Sequence, residues 1–169
     1  PFDSILLKMK AGQGDIIMSA MNDTAERQEA GFSWVEYSYD GTGILTPKGN
    51  PHDLSGPKSL AGKPVAVENG TTQQAFLTRL NGALKEIDLP PVKVIAVQSQ
   101  PEALLAVKGT WAVADVTDWS TALDIAANTG KGEVFEVIRD EDAPYDPLIT
   151  GIGIMTKDTQ LVDVVQRAL

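Results

Sequence analysis

Cysteine is absent from this chain of 169 residues. That excludes a disulfide-stapled scaffold, a thiolate metal site and a cysteine nucleophile, and it leaves the compartment open. Histidine occurs once, as His52 in the turn-like run Gly49-Asn50-Pro51-His52-Asp53. A solvated loop side chain is expected there, not a metal ligand or a catalytic base. No apolar run approaches the roughly 18 residues that a membrane-spanning helix needs. Basic residues are scattered among acids, and the formal net charge is −9. Phosphate backbones demand clustered Lys and Arg, so no nucleic-acid partner is expected. The chain shows no signal peptide, lipidation motif, internal repeat or low-complexity tract. Its opening, Pro1-Phe2-Asp3, reads as the interior of a longer polypeptide, with any export signal upstream.

What remains is ordinary globular material, 43% hydrophobic and 22% charged, with 15 Gly and 10 Pro. Asp3 reads as the cap of an amphipathic helix through residue 11, with Gly12 as its stop. A short buried strand follows at 15–18 and a helical turn at 24–27. Residues 32–46 are rich in aromatic and β-branched side chains, with Gly41 and Gly43 as expected bends. Pro47-Lys48-Gly49-Asn50-Pro51 then punctuates the chain. Beyond it, strands at 64–67, 92–97, 111–117 and 134–138 alternate with helices. The first helix opens at Gly70-Thr71-Thr72 and places Ala75, Phe76 and Leu80 on one side; the second is led by Pro101; the third covers 118–128. The acidic, Pro-rich stretch 140–147 marks a second boundary. Ile149-Thr150-Gly151-Ile152-Gly153-Ile154 is a strand whose glycines admit another backbone, and Leu161, Val165 and Leu169 stripe a last helix over 158–169. This alternation predicts an α/β fold with mixed, largely parallel sheets. Residues 50–147 read as one βα lobe, flanked by 1–49 and 148–169.

Three loop-to-helix junctions carry candidate chemistry, where α/β sheets usually hold their ligands. In Ser19-Ala20-Met21-Asn22-Asp23-Thr24-Ala25-Glu26-Arg27, the arginine can hold a carboxylate in a two-pronged grip; it can equally be a surface residue paired with Glu26, Glu29 or Glu36. In Asn69-Gly70-Thr71-Thr72-Gln73, a turn entering a helix exposes N–H groups and hydroxyls to an anion, or Thr71 or Thr72 simply caps the helix. No Gly-Lys-Ser/Thr follows, so it is not a nucleotide loop. Asp118, at a strand end, can take an ammonium group or cap the next helix at Ser120 and Thr121. Asp115 is its rival, an acid within a Val- and Ala-rich strand that otherwise points to solvent. Taken together, cationic, N–H-rich and anionic groups suit the two ends of a zwitterion. No nucleophile–base pair is marked out, so binding is expected over catalysis, with no catalytic residue, metal or cofactor.

These segments resemble, in order, blocks of the amino-acid-binding class of bacterial extracellular solute-binding proteins. Met18-Ser19-Ala20-Met21-Asn22-Asp23-Thr24-Ala25-Glu26-Arg27 is similar to that family's S-G-M-T-x-T-P-E-R. Pro47-Lys48-Gly49-Asn50-Pro51, Ser59-Leu60-Ala61-Gly62-Lys63 and Val65-Ala66-Val67-Glu68-Asn69-Gly70-Thr71-Thr72-Gln73 resemble the next blocks. Glu102-Ala103-Leu104-Leu105-Ala106-Val107-Lys108 through Asp118, then 149–154 and 161–169, resemble the later ones. Ala20 stands where Gly or Ser is usual, Asn22 where Ser or Thr is usual, and Val113 where Asp is frequent. The match begins partway into the family's pattern.

The resemblance implies a two-lobed, periplasmic-binding-protein-like receptor with two crossing strands as its hinge. Residues 1–49 would be a partial first lobe with the first crossing, 50–147 the second lobe, and 148–169 the return crossing. Arg27 would take a ligand carboxylate, helped by Ala20, Asn22, Gly70, Thr71 and Thr72, and Asp118 the α-ammonium. The implied role is the extracellular, periplasmic or lipid-anchored substrate-binding component of an ABC importer, meeting an amino acid or close analogue and a permease. Any membrane attachment would be a lipid anchor outside this chain. An unpaired sheet edge in the partial lobe would invite dimerisation. The alternatives are a ligand-sensing module of a receptor or regulatory protein, and an enzyme such as a dehydratase or a transglycosylase-linked domain on the same scaffold.

Overall fold

The computed structural model describes all residues, Pro1–Leu169. The chain divides into two compact units: Gly41–Asp146 with Pro1–Phe2 forms the first, and Asp3–Asp40 with Pro147–Leu169 the second.

In the first unit the strands are the C-terminal part of β2 (Phe32–Pro47), β3 (Pro64–Glu68), β4 (Lys93–Val97), β5 (Ala114–Asp118) and β6 (Phe135–Val137). β3 pairs in parallel with β4 and β5, whereas β2 pairs antiparallel with β5 and β6. Parallel pairing is thus confined to β3, β4 and β5, whose connections run through helices, as a crossover requires. The helices are α3 (Thr72–Glu86), α4 (Gln100–Lys108) and α5 (Trp119–Asn128). Strand residues alternate between two apolar layers. Val65, Val67, Ala114 and Val116 join Ile44, Leu77 and Leu84 of α3. Leu45 and Ala66 join Ala103 and Ala106 of α4, Ala122 of α5 and Phe135.

Several sequence expectations shift here. The fully buried stripe of α3 is Gln73, Leu77 and Leu84; of the expected face, Phe76 and Leu80 pack partly buried against the same core, while Ala75 is exposed. β5 begins at Ala114, three residues later than expected, and Trp111 stands in a turn, 74% exposed. Gly41 and Gly43 are not bends, because β2 runs unbroken across both. They are close-contact positions. A Cβ on Gly43 would lie 2.9 Å from the Ala122 Cβ and 3.2 Å from the Trp119 Cα, and one on Gly41 would lie 2.9 Å from the Tyr145 carbonyl.

The second unit holds β1 (Ile16–Ile17), the N-terminal part of β2 and most of β7 (Tyr145–Met155), in the order β1, β7, β2. β1 pairs antiparallel with β7, Ile16 opposite Ile154. Its helices are α1 (Ile5–Lys10), α2 (Ala25–Glu29) and α6 (Thr159–Ala168). Val35, Ile152 and Ile154 form a core against Leu161, Val162 and Val165 of α6, whereas the expected third member, Leu169, is 66% exposed. Ser4, not Asp3, occupies the cap position of α1, after a short 3-10 turn at Phe2–Ser4. The glycines of β7 serve a side chain as well as a backbone: a Cβ on Gly153 would meet the Trp34 ring at 2.9 Å, and one on Gly151 the Val35 carbonyl at 3.2 Å. β1 is the terminal strand of its sheet, and its Ile16 is 46% exposed.

Candidate ligand-binding site

In the first unit, β3 and β5 lie side by side and parallel, so their carboxyl ends share one edge. Each feeds a helix: β3 leads through Gly70 to α3, and β5 leads through Asp118 to α5. This geometry brings the Gly-Thr-Thr turn and Asp118 together. Gly70 adopts a φ of +77°, which lets the chain turn sharply from strand to helix. Thr71 is the N-cap of α3: its hydroxyl accepts from the Gln74 N–H at 3.2 Å and donates to the Glu68 carbonyl at 2.8 Å. The Gly70 N–H donates to the Gln74 Oε1 at 2.9 Å, a reciprocal clamp of the capping-box kind. The capping role weighed for this turn is therefore met by Thr71, whose one hydroxyl proton goes to Glu68. What the turn offers an anion is backbone N–H of the first helical turn, where no intrahelical acceptor exists.

Asp118 occupies the cap position of α5 but makes no side-chain cap bond. Its Oδ1 instead accepts from the Gln73 Nε2 at 2.8 Å. Gln73 is 3% exposed, and its Oε1 accepts from the Thr72 hydroxyl at 3.2 Å. A buried amide thus links the helix start to the carboxylate. Gln73 stood unremarked within the sequence motif; only the packing of α3 beside β5 reveals its position. Thr42 lies opposite Asp118 across the β2–β5 ladder, and its fully buried hydroxyl has no hydrogen-bond partner.

Asp115 does not face solvent. It is 0% exposed, its register partners are Leu45 and Ala66, and it therefore points into the layer beneath α4. The Gln100 side chain donates to its Oδ2, and Oδ1 is buried without a partner. Desolvation pushes this carboxyl up to about 7; the Gln100 bond opposes the shift and the charge of Glu68 adds to it. Such a group belongs to the core of the unit.

In the second unit, Arg27 sits in α2 and is 8% exposed. That is not the solvated side chain of the surface reading. Thr24 caps the helix, its hydroxyl accepting from the Arg27 N–H at 3.3 Å. The Arg27 Nη1 donates to the Asn22 carbonyl at 2.6 Å. Asn22 is 4% exposed; it forms an isolated bridge with Thr150 of β7 and its Nδ2 donates to the Thr150 hydroxyl at 3.3 Å. Asn22 and Arg27 are therefore one structural group, anchored on β7 through Thr150, a partner that no local sequence signal marks. Ala20 is exposed and holds a φ of +52°. His52 is exposed in the turn after β2.

A family model of bacterial extracellular solute-binding proteins, family 3, matches residues 1–169. The chain is 26% identical over 168 residues to "Putative ABC transporter arginine-binding protein 2" of Escherichia coli (strain K12), covering 99% of this chain and 64% of that protein. It thus spans somewhat under two thirds of that curated relative. Among solved structures it is similar to holo ArgBP from T. maritima, with a TM-score of 0.84, 23% identity, and coverage of 98% of this chain and 67% of that one. It is also similar to an ancestral amino acid-binding protein described as a precursor of cyclohexadienyl dehydratase, at TM-score 0.76 and 28% identity, covering 98% of this chain and 65% of that one. The mixed α/β architecture is that of these solute-binding folds. With its whole length matched, this chain belongs to the bacterial extracellular solute-binding proteins, family 3.

Proposed function

We propose that the protein of which this chain is part binds an α-amino acid, or a close analogue, as the extracellular receptor of an ABC importer, without turning it over. One observation supports this reading above the rest: Asp118 and the first turn of α3 are neighbours in one unit, joined through Gln73. An ammonium acceptor and an anion-binding helix start then stand together, as a zwitterion requires. Arg27, buried and held by the Asn22 carbonyl, takes the ligand carboxylate together with backbone at Ala20 and Asn22. Thr71 and Thr72 contribute backbone N–H groups to a carboxylate, Gly70 shapes the turn that presents them, and Asp118 takes the α-ammonium.

Residues 50–147 act in this reading as the second lobe, and 1–49 with 148–169 as the hinge crossings and part of the first. Ligand occupancy is coupled to a shape that the permease reads. The relatives' names favour arginine among the amino acids to be tried first. The test is titration calorimetry with an amino-acid panel. Arg27→Ala and Asp118→Asn should each weaken the preferred ligand by about 10- to 100-fold, the usual worth of a charge-assisted bond. Unchanged affinity in the Arg27→Ala protein would remove the carboxylate role.

A further inference from the structure

We infer that Gln73 is the positioning residue for Asp118. It fixes the plane of the carboxylate that receives the ligand's ammonium group, and so it sets the preference for α-amino acids over carboxylic acids without an amino group. This inference rests on the ammonium role proposed for Asp118. Asp118 begins α5, where an aspartate ordinarily turns its carboxylate back onto the N–H groups of its own helix. It makes no such bond. A donor reaches it from α3, where the Gln73 Nε2, 45 positions away in sequence, donates to Oδ1 at 2.8 Å.

The orientation of that amide is dictated chemically. An ionised carboxylate only accepts, so the amide face turned to Asp118 must be the NH2 group. The Oε1 then faces the Thr72 hydroxyl, which donates to it at 3.2 Å. Both ends of the amide are engaged, and the side chain is 3% exposed on the buried stripe with Leu77 and Leu84. Its rotamer is therefore locked by packing, and it transmits that rigidity to the carboxylate. One consequence concerns Thr72. Its single hydroxyl proton is directed at Gln73, so Thr72 meets a ligand carboxylate through its backbone N–H.

Gln73→Met keeps length and burial and deletes both bonds. It should cost about tenfold in affinity for the preferred amino acid, the usual worth of one bond to a charged group, and under about twofold for its des-amino analogue. In the Asp118→Asn background the same change should cost almost nothing further. Equal losses for both ligands, or losses that multiply independently in the double variant, would overturn the assignment. A ligand-free measurement separates this from the site reading. The side-chain amide resonances of Gln73 should move when Asp118 becomes Asn, whatever the protein binds, and unmoved resonances would overturn the positioning role. If they move while Asp118→Asn leaves affinity intact, the ammonium role falls and the selectivity inference with it.

Discussion

Asp115 and Ala20 each occupy positions that their chemistry resists. A carboxyl with 0% exposure, one amide donor and no partner for its second oxygen favours the protonated form. Its value, raised from 3.8 to about 7, fixes the sign of a linkage effect. The unfolded chain ionises near 3.8, while the folded chain keeps the proton up to about 7. The contribution is therefore complete below pH 3.8 and lost as pH rises through 7. Between pH 5 and 8 the loss amounts to about 2–3 kcal/mol on this linkage. Denaturant unfolding of the native and Asp115→Asn proteins should show that difference in slope, with the Asn protein gaining relatively as pH rises. Parallel pH profiles would contradict the assignment. Ala20 holds a φ of +52°, which costs an L-residue about 1 kcal/mol. Ala20→Gly should leave thermal stability unchanged or raise it by up to about 1 kcal/mol, where the same exchange inside a strand lowers it. A clear loss would show that the methyl group is itself packed.

At the level of elements, the approach of α5 to β2 depends on one missing side chain. A methyl group on Gly43 would overlap the Ala122 Cβ and crowd the Trp119 Cα, both beside Asp118. Gly43→Ala should cost about 1–3 kcal/mol by overpacking, read from the denaturation midpoint, and should displace the start of α5. An unperturbed midpoint would mean that α5 shifts freely. This contact also shows how far the sequence could be read. Strand and helix order was legible because Gly, Pro and Thr punctuation and apolar periodicity are local signals. What Gly41 and Gly43 do was not, since a bend and a close approach demand the same residue and only tertiary packing separates them. The same limit applied to Arg27, whose burial depends on distant elements, and to Asp115, whose strand parity turns it inward. Gln73 escaped notice because its partner lies on another element. By contrast, Thr71 as a cap could be read from five consecutive residues.

For the molecule as a whole, the proposed binding is charge complementarity with a small zwitterion. Family membership rests on the match over residues 1–169, and the ordered blocks of sequence point the same way. The chain's −9 charge gives no general attraction to a carboxylate, so affinity must come from placed groups rather than from the overall field. The decisive measurement compares the preferred amino acid with two analogues by calorimetry, one lacking the α-amino group and one with the carboxylate blocked as an amide. Each analogue should bind at least about 100-fold more weakly, because each removes one of the two ligand charges that Arg27 and Asp118 are proposed to meet. Equal binding of either analogue would contradict the proposed binding, because one end of the ligand would then be held by nothing described for this protein.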